Sequence, residues 1–157
     1  MNRYIGLVKF FLLLPLLLSS PLSIAAIATI SELSFGTIAV VNNDTMSDIS
    51  INTSGRIIIT NHIRVIMPGQ RGEYVLSSYP TYTQLFTTVS VVQSQSTSPA
   101  PGSEQFTLVE VNTAPSVTTS GSGTATVFVG GTFRTSGAAG QYNDTLYSAS
   151  FNLDVNF

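Results

Sequence analysis

The chain has 157 residues, with no cysteine, no tryptophan, one histidine, and six basic residues against eight acidic ones. Arg3 and Lys9 lie in the leader. That leaves Arg56, Arg64, Arg71 and Arg134 for the remainder, with no lysine, and four cations against eight anions give it a formal charge of −4. These counts exclude disulfide staples, a lipid-anchored cysteine, and a basic patch for nucleic acid or an anionic membrane surface.

In chain order, MNRYIGLVKFFLLLPLLLSS places two cations ahead of an apolar run from Phe10 to Leu18, and the small residues of SIAAIA follow. This pattern predicts a secretory signal peptide over residues 1–26, cleaved after Ala26, with Ala25 and Ala28 as the next choices. The apolar run is far shorter than the roughly 20 residues of a spanning helix. The membrane is therefore expected to be met only during export. A single domain of residues 27–157 remains, long enough to bury its own core.

Beyond the leader the pattern is one of strands and turns, with no amphipathic helix. ELSFGTIAVV alternates until Gly36 interrupts it, as a bulge or bend would. VNNDTMSD reads as a turn, and SDISINTSGRIIIT as two strands joined near Thr53–Gly55. EYVLSSY and QLFTTVSVV read as strands flanking a turn at Pro80. QSQSTSPAPGSEQ reads as a loop, FTLVEV as a strand and NTAPSVTTSGSG as a second loop. TATVFVGGTFRTS reads as a strand broken at Gly130–Gly131, and GAAGQYND leads into the tail.

The tail, LYSASFNLDVNF, alternates without fault. Tyr147, Ala149, Phe151, Leu153, Val155 and Phe157 share one face, and Ser148, Ser150, Asn152, Asp154 and Asn156 share the other. This terminal strand is expected to serve either the domain's own core, beside TATVFVGGTF, or pairing with another subunit. Full burial would contribute about 1.5–3 kcal/mol for each large side chain. A third reading is a strand of a transmembrane barrel, but the other strands are too short or irregular for one. Short strands rich in Thr, Val, Ile and aromatics predict an all-β antiparallel sandwich.

No residue set carries recognisable chemistry. His62 stands alone without cysteine, which falls short of a zinc site. The acids Glu32, Asp44, Asp48, Glu73, Glu104, Glu110, Asp144 and Asp154 are dispersed. Asp44 and Asp48 lack the density of a calcium loop, and no serine sits in a Gly-x-Ser-x-Gly setting. Asn43, Asn52 and Asn143 head Asn-x-Ser/Thr triplets, expected by chance in so Ser/Thr/Asn-rich a chain. Tyr74, Tyr79, Tyr82 and Phe86 fall close together in sequence and suggest either half-buried strand positions or a sugar-stacking, adhesive surface. No cofactor, no metal and no enzyme activity are expected.

LSFGTIA, the Gly-Gly of VFVGGTF, the GQY that follows a glycine-rich stretch, and the aromatic-ended tail occur in a shared order. In this the chain resembles bacterial domain-of-unknown-function family 4402, secreted proteins similar to fimbrial subunits. The resemblance covers most of residues 32–157. It implies an immunoglobulin-like, pilin-like sandwich in the periplasm or at the cell surface. Leu33, Phe35 and Gly36 would be its first-strand signature, Gly130 and Gly131 its penultimate-strand signature, and Gly140 and Tyr142 the turn before the last strand. The expectation is a non-enzymatic structural or adhesive protein. Its partners would be other copies of itself or related subunits, together with a periplasmic chaperone. The alternatives are a secreted carbohydrate-binding or carbohydrate-active protein and a small outer-membrane β-barrel.

Overall fold

The computed structural model describes residues 25–157. Apart from Ala25 and Ala26, the expected signal peptide lies outside the described residues. What is described is all β, with no helix. The strands are β1 (Ala26–Ser31), β2 (Thr37–Val40), β3 (Asp48–Ile51), β4 (Ile57–Ile59), β5 (Ile63–Met67), β6 (Gly72–Ser77), β7 (Gln84–Thr97), β8 (Thr107–Thr113), β9 (Ser116–Thr118), β10 (Ala125–Arg134) and β11 (Ser148–Asn156).

Strand β10 is the spine. One of its edges pairs with β8. The other pairs with β6 over Ala125–Val129 and with β3 over Gly131–Arg134. The expected break at Gly130–Gly131 is absent, because the strand runs straight through. The glycines serve the neighbours instead, at the point where β6 hands over to β3. A Cβ on Gly130 would run into the Ile51 carbonyl, and one on Gly131 would lie 3.0 Å from both the Glu110 carbonyl oxygen and Leu33 Cδ2.

The main path of pairing is β1-β6-β10-β8-β7-β11, with β4 added to β3 and β9 to β7. Strands β2 and β5 form a separate two-stranded sheet. The bend expected at Gly36 is present. Its φ is +76°, and a Cβ there would strike the Met67 carbonyl as the chain enters β2. Strands β1 and β11 end the path and do not pair with each other, so the sheets do not close into a barrel.

Strand β7 meets β8 through one pair, Gln95↔Thr107, and otherwise pairs with β9 and β11. Its apolar face and that of β11 lie over β6 and β10. Leu76, Leu85, Val127 and Val129 are buried there, with Phe151, Leu153 and Val155 packed against them. A second cluster centres on Ile49, Ile63, Phe106, Leu108 and Phe133. Val111 packs against both.

Three expectations change. The tail pairs antiparallel with β7, where TATVFVGGTF was expected. QSQST, read as loop, completes β7. Its Ser96 is buried, donates to Gln105 Oε1 at 3.0 Å and accepts the Phe106 N–H at 2.9 Å. Such a hydroxyl is satisfied inside the fold but looks polar in sequence. Within the second expected loop, Ser116–Thr118 forms β9 against Gln84–Phe86.

Candidate functional site: the groove between the first and last strands

Among the described residues, strand β1 is held by β6 alone and is exposed along nearly its whole length. Ile27 is 44% exposed and Ile30 62%. Strand β11 is held by β7 alone, and its faces alternate half-buried and exposed throughout. The two strands flank a groove of about 360 Å³ whose lining mixes Ile27, Leu33, Tyr74, Phe151 and Leu153 with the polar Thr29, Glu32 and Ser150. Tyr74 and Phe151 meet edge to face on its floor, with centroids 6.4 Å apart. Burial raises the Tyr74 pKa above its ordinary value, and the nearby Glu32 carboxylate adds to the rise. The side chain therefore favours its neutral phenol form.

Edge strands of soluble proteins are commonly guarded by lysine, proline or a covering segment. Strand β1 has neither lysine nor proline and no charged residue, and β11 has Asp154 as its only charge. Among the described residues, each offers one row of backbone N–H and C=O groups without a strand partner. The arrangement suits an added extended segment with alternating apolar side chains.

The tail residues singled out in the sequence are placed unevenly. Tyr147, Phe151, Leu153 and Val155 are half-buried, and Phe157 is 71% exposed, edge-on to Tyr79 at 5.5 Å. None is fully buried, so their contribution falls below the full-burial figure. The two dry-face ends do different work. Tyr147 packs edge to face on Phe106 at 5.0 Å, in the second cluster, whereas Phe151, Leu153 and Val155 pack on the first.

The residues that carry the resemblance, from both halves of the chain, converge. Phe35 stacks on Phe133 with centroids 4.4 Å apart. A Cβ on Gly131 would sit 3.0 Å from Leu33 Cδ2 and 3.7 Å from Phe35 Cζ, so Leu33, Phe35 and Gly131 form one contact. Tyr142 lies on Phe106 at 4.3 Å. Its hydroxyl accepts the Ser136 N–H at 2.8 Å and donates to the Gln105 carbonyl at 3.1 Å. Burial raises its pKa, with the Ser136 amide pulling the other way. Gly140 lies against the Glu104 side chain, and its carbonyl accepts from Asn43.

Asn43 was overlooked as a structural residue. It is 5% exposed, its amide nitrogen donates to Ser136 Oγ and the Gly140 carbonyl, both at 2.9 Å, and its Oδ1 accepts the Gly137 N–H at 2.9 Å. The turn between β2 and β3 is thereby clamped to the turn before β11. The available signal was the Asn-Asp-Thr shared by AVVNNDTM and GQYNDTLY, but a buried amide and a solvated turn read alike in sequence.

Among the described residues, the charged side chains in contact are two pairs, Asp44 with His62 and Asp48 with Arg134. Among the described residues, no three of His, Cys, Asp and Glu are grouped to hold a metal ion. His62 Nε2 is 3.6 Å from Asp44 Oδ1 at the surface. Asp48 is bidentate with Arg134 across the β3–β10 pair, at 2.7 and 2.9 Å. The four aromatics of residues 74–86 do not form one surface. Tyr74 is in the groove, Tyr79 meets Phe157, Tyr82 is 78% exposed in the β6–β7 loop, and Phe86 is 54% exposed on β7. No family model, curated protein or solved structure matches the chain.

Proposed function

We propose that the protein is a secreted, non-enzymatic structural subunit of a bacterial cell surface, with a pilin-like, immunoglobulin-like sandwich of the kind found in family 4402. One observation carries this reading. Among the described residues, the first and last strands are both unguarded edges, and they flank the same groove, in which Leu33, Phe151 and Leu153 stand beside Thr29, Glu32 and Ser150. An extended strand from another copy or a related subunit would pair with these edges and place apolar side chains over Leu33, Tyr74, Phe151 and Leu153. A periplasmic chaperone would cover the edges before assembly.

Export enters the same reading. Cleavage after Ala26 would remove a single β1 residue, the one opposite Ser77, and leave Ile27–Ser31 to pair with β6. Cleavage after Ala28 would take half the strand. An intact mass corresponding to a start at Ile27 is therefore expected of the exported protein, and a mass retaining residues 1–20 would contradict the secreted reading.

Assembly is tested by sedimentation velocity of the purified mature chain, with electron microscopy of the same sample. Oligomers or fibres growing with concentration are expected, and Leu153→Arg in the groove should suppress them. A clean monomer at high micromolar concentration, without a helper protein, would overturn the proposal.

A further inference from the structure

We propose a binding site for neutral glycans at the end of the molecule where the β6–β7 loop meets the β9–β10 turn. A cavity of about 670 Å³ lies there, within the usual range for small-ligand sites. Tyr79, Phe157, Ser78, Ser122 and Thr124 line it, together with Ala25, which cleavage after Ala26 would remove; no charged side chain lines it. It shares no lining residue with the groove between β1 and β11, so the inference stands even for a chain that never assembles.

The aromatic part is open and positioned. Phe157 is 71% exposed and braced edge-on by Tyr79. Beside the cavity, Tyr82 is 78% exposed, and its ring lies over Gly121, where a Cβ would come 2.6 Å from the Tyr82 hydroxyl and 3.2 Å from Cζ. Two residues of this loop, Ser78 at φ 66° and Tyr82 at φ 52°, hold left-handed conformations. Such conformations are costly for residues other than glycine and gather at functional sites.

The loop is fixed from the turn opposite. The buried Thr119 hydroxyl donates to the Pro80 carbonyl at 2.6 Å and accepts the Thr83 N–H at 2.8 Å. The Tyr79 N–H reaches the Gly123 carbonyl at 3.2 Å.

The polar part consists of hydroxyls. Ser120, Ser122 and Thr124 form a closed triangle, with oxygen separations of 2.8, 2.8 and 3.1 Å. Ser120 Oγ also accepts the N–H groups of Ser122 and Thr124. The three protons are engaged within the triangle, so Ser122 and Thr124 offer lone pairs to a ligand's hydroxyl donors. A pyranose has the matching chemistry: a C–H face for an aromatic ring and hydroxyls at its edge for other hydroxyls. An ionic ligand would meet no charged side chain in the lining, and a purely apolar one would strand the hydroxyls.

The test is saturation-transfer NMR on the purified mature chain with lactose, maltotriose, mannotriose and tri-N-acetylchitotriose as probes, and a sulfated heparin disaccharide as the charged comparison. At least one neutral sugar should receive saturation and the sulfated disaccharide should not. Tyr82→Asn, which keeps a residue tolerant of the left-handed conformation, and Ser122→Ala, at an exposed position, should each weaken binding about threefold to tenfold. The thermal midpoint of each variant reports that the fold is intact. No transfer to any neutral sugar, preference for the sulfated one, or binding unchanged by both substitutions would overturn the proposal.

Discussion

Strands β10 and β11 are nearly the same length, and both carry an alternating apolar face, yet they live in different surroundings. Strand β10 has neighbours along both edges and buries Val127, Val129 and Phe133. Strand β11 has one neighbour and buries no side chain completely. Alternation tells which side chains share a face. Depth depends on how many strands stand beside and above that face, and those strands are distant in sequence. Taken alone, the tail with its unbroken stripe looks like the more committed core strand, whereas β10 carries a glycine pair. The order of burial is the reverse.

The sharpest way to break this comparison is to place the same charge in both strands. Val129→Asp puts a carboxylate at a fully buried position between β6 and β8, and should destabilise by roughly 4 kcal/mol or more, enough to unfold a domain of ordinary stability. Phe151→Asp removes a half-buried ring beside the groove, where water can reach the new carboxylate, and should cost about 1–3 kcal/mol. Asn152→Asp, on the exposed face, should stay within about 0.5 kcal/mol. Urea unfolding of the three variants checks the series. Equal losses at 129 and 151 would mean that β11 is as deeply buried as β10.

A smaller effect sharpens the account of the two phenols. Tyr74, beneath the groove, and Tyr142, on Phe106, both have pKa values raised chiefly by burial. The folded state therefore favours their neutral form. This contribution is fully present below the ordinary tyrosine pKa of about 10, and is lost as pH rises through the higher folded values. Ultraviolet titration should show both ionising late in the native protein, with stability declining only above about pH 10. Loss of stability between pH 7 and 9 would need a different cause.

The smallest effect expected is at the Asp48–Arg134 pair, which is partly exposed. Asp48→Asn should cost about 0.2–1 kcal/mol, less at high salt. A larger loss would show that the β3–β10 edge depends on this ion pair more than on the packing of Ile49 and Ile51.

Much of the strand inventory was legible in sequence, including the β3–β4 hairpin, β6, β8 and the tail, because alternation and turn residues are local signals. Pairing was not, because partners such as β7 and β11 are separated by the whole of β8–β10. The far half of β7 was missed because Ser96 is buried through hydrogen bonds that a polar residue shares with solvated loops. The groove was legible only as a possibility in the tail, since its other wall is β1, at the opposite end of the chain. The glycan site combines Tyr79, already suspected, with Ser122, Thr124 and Phe157, which only the fold brings near it.

Amide hydrogen exchange on the dissociated mature chain tests the central claim, that β1 and β11 are open edges while β10 is the spine. Amides of β10 should exchange at the rate of global unfolding. In β11, slow amides directed at β7 should alternate with fast ones facing outward, and β1 should be fast along its free edge. Uniform slow exchange through β11, equal to that of β10, would contradict an open last strand and the account built on it.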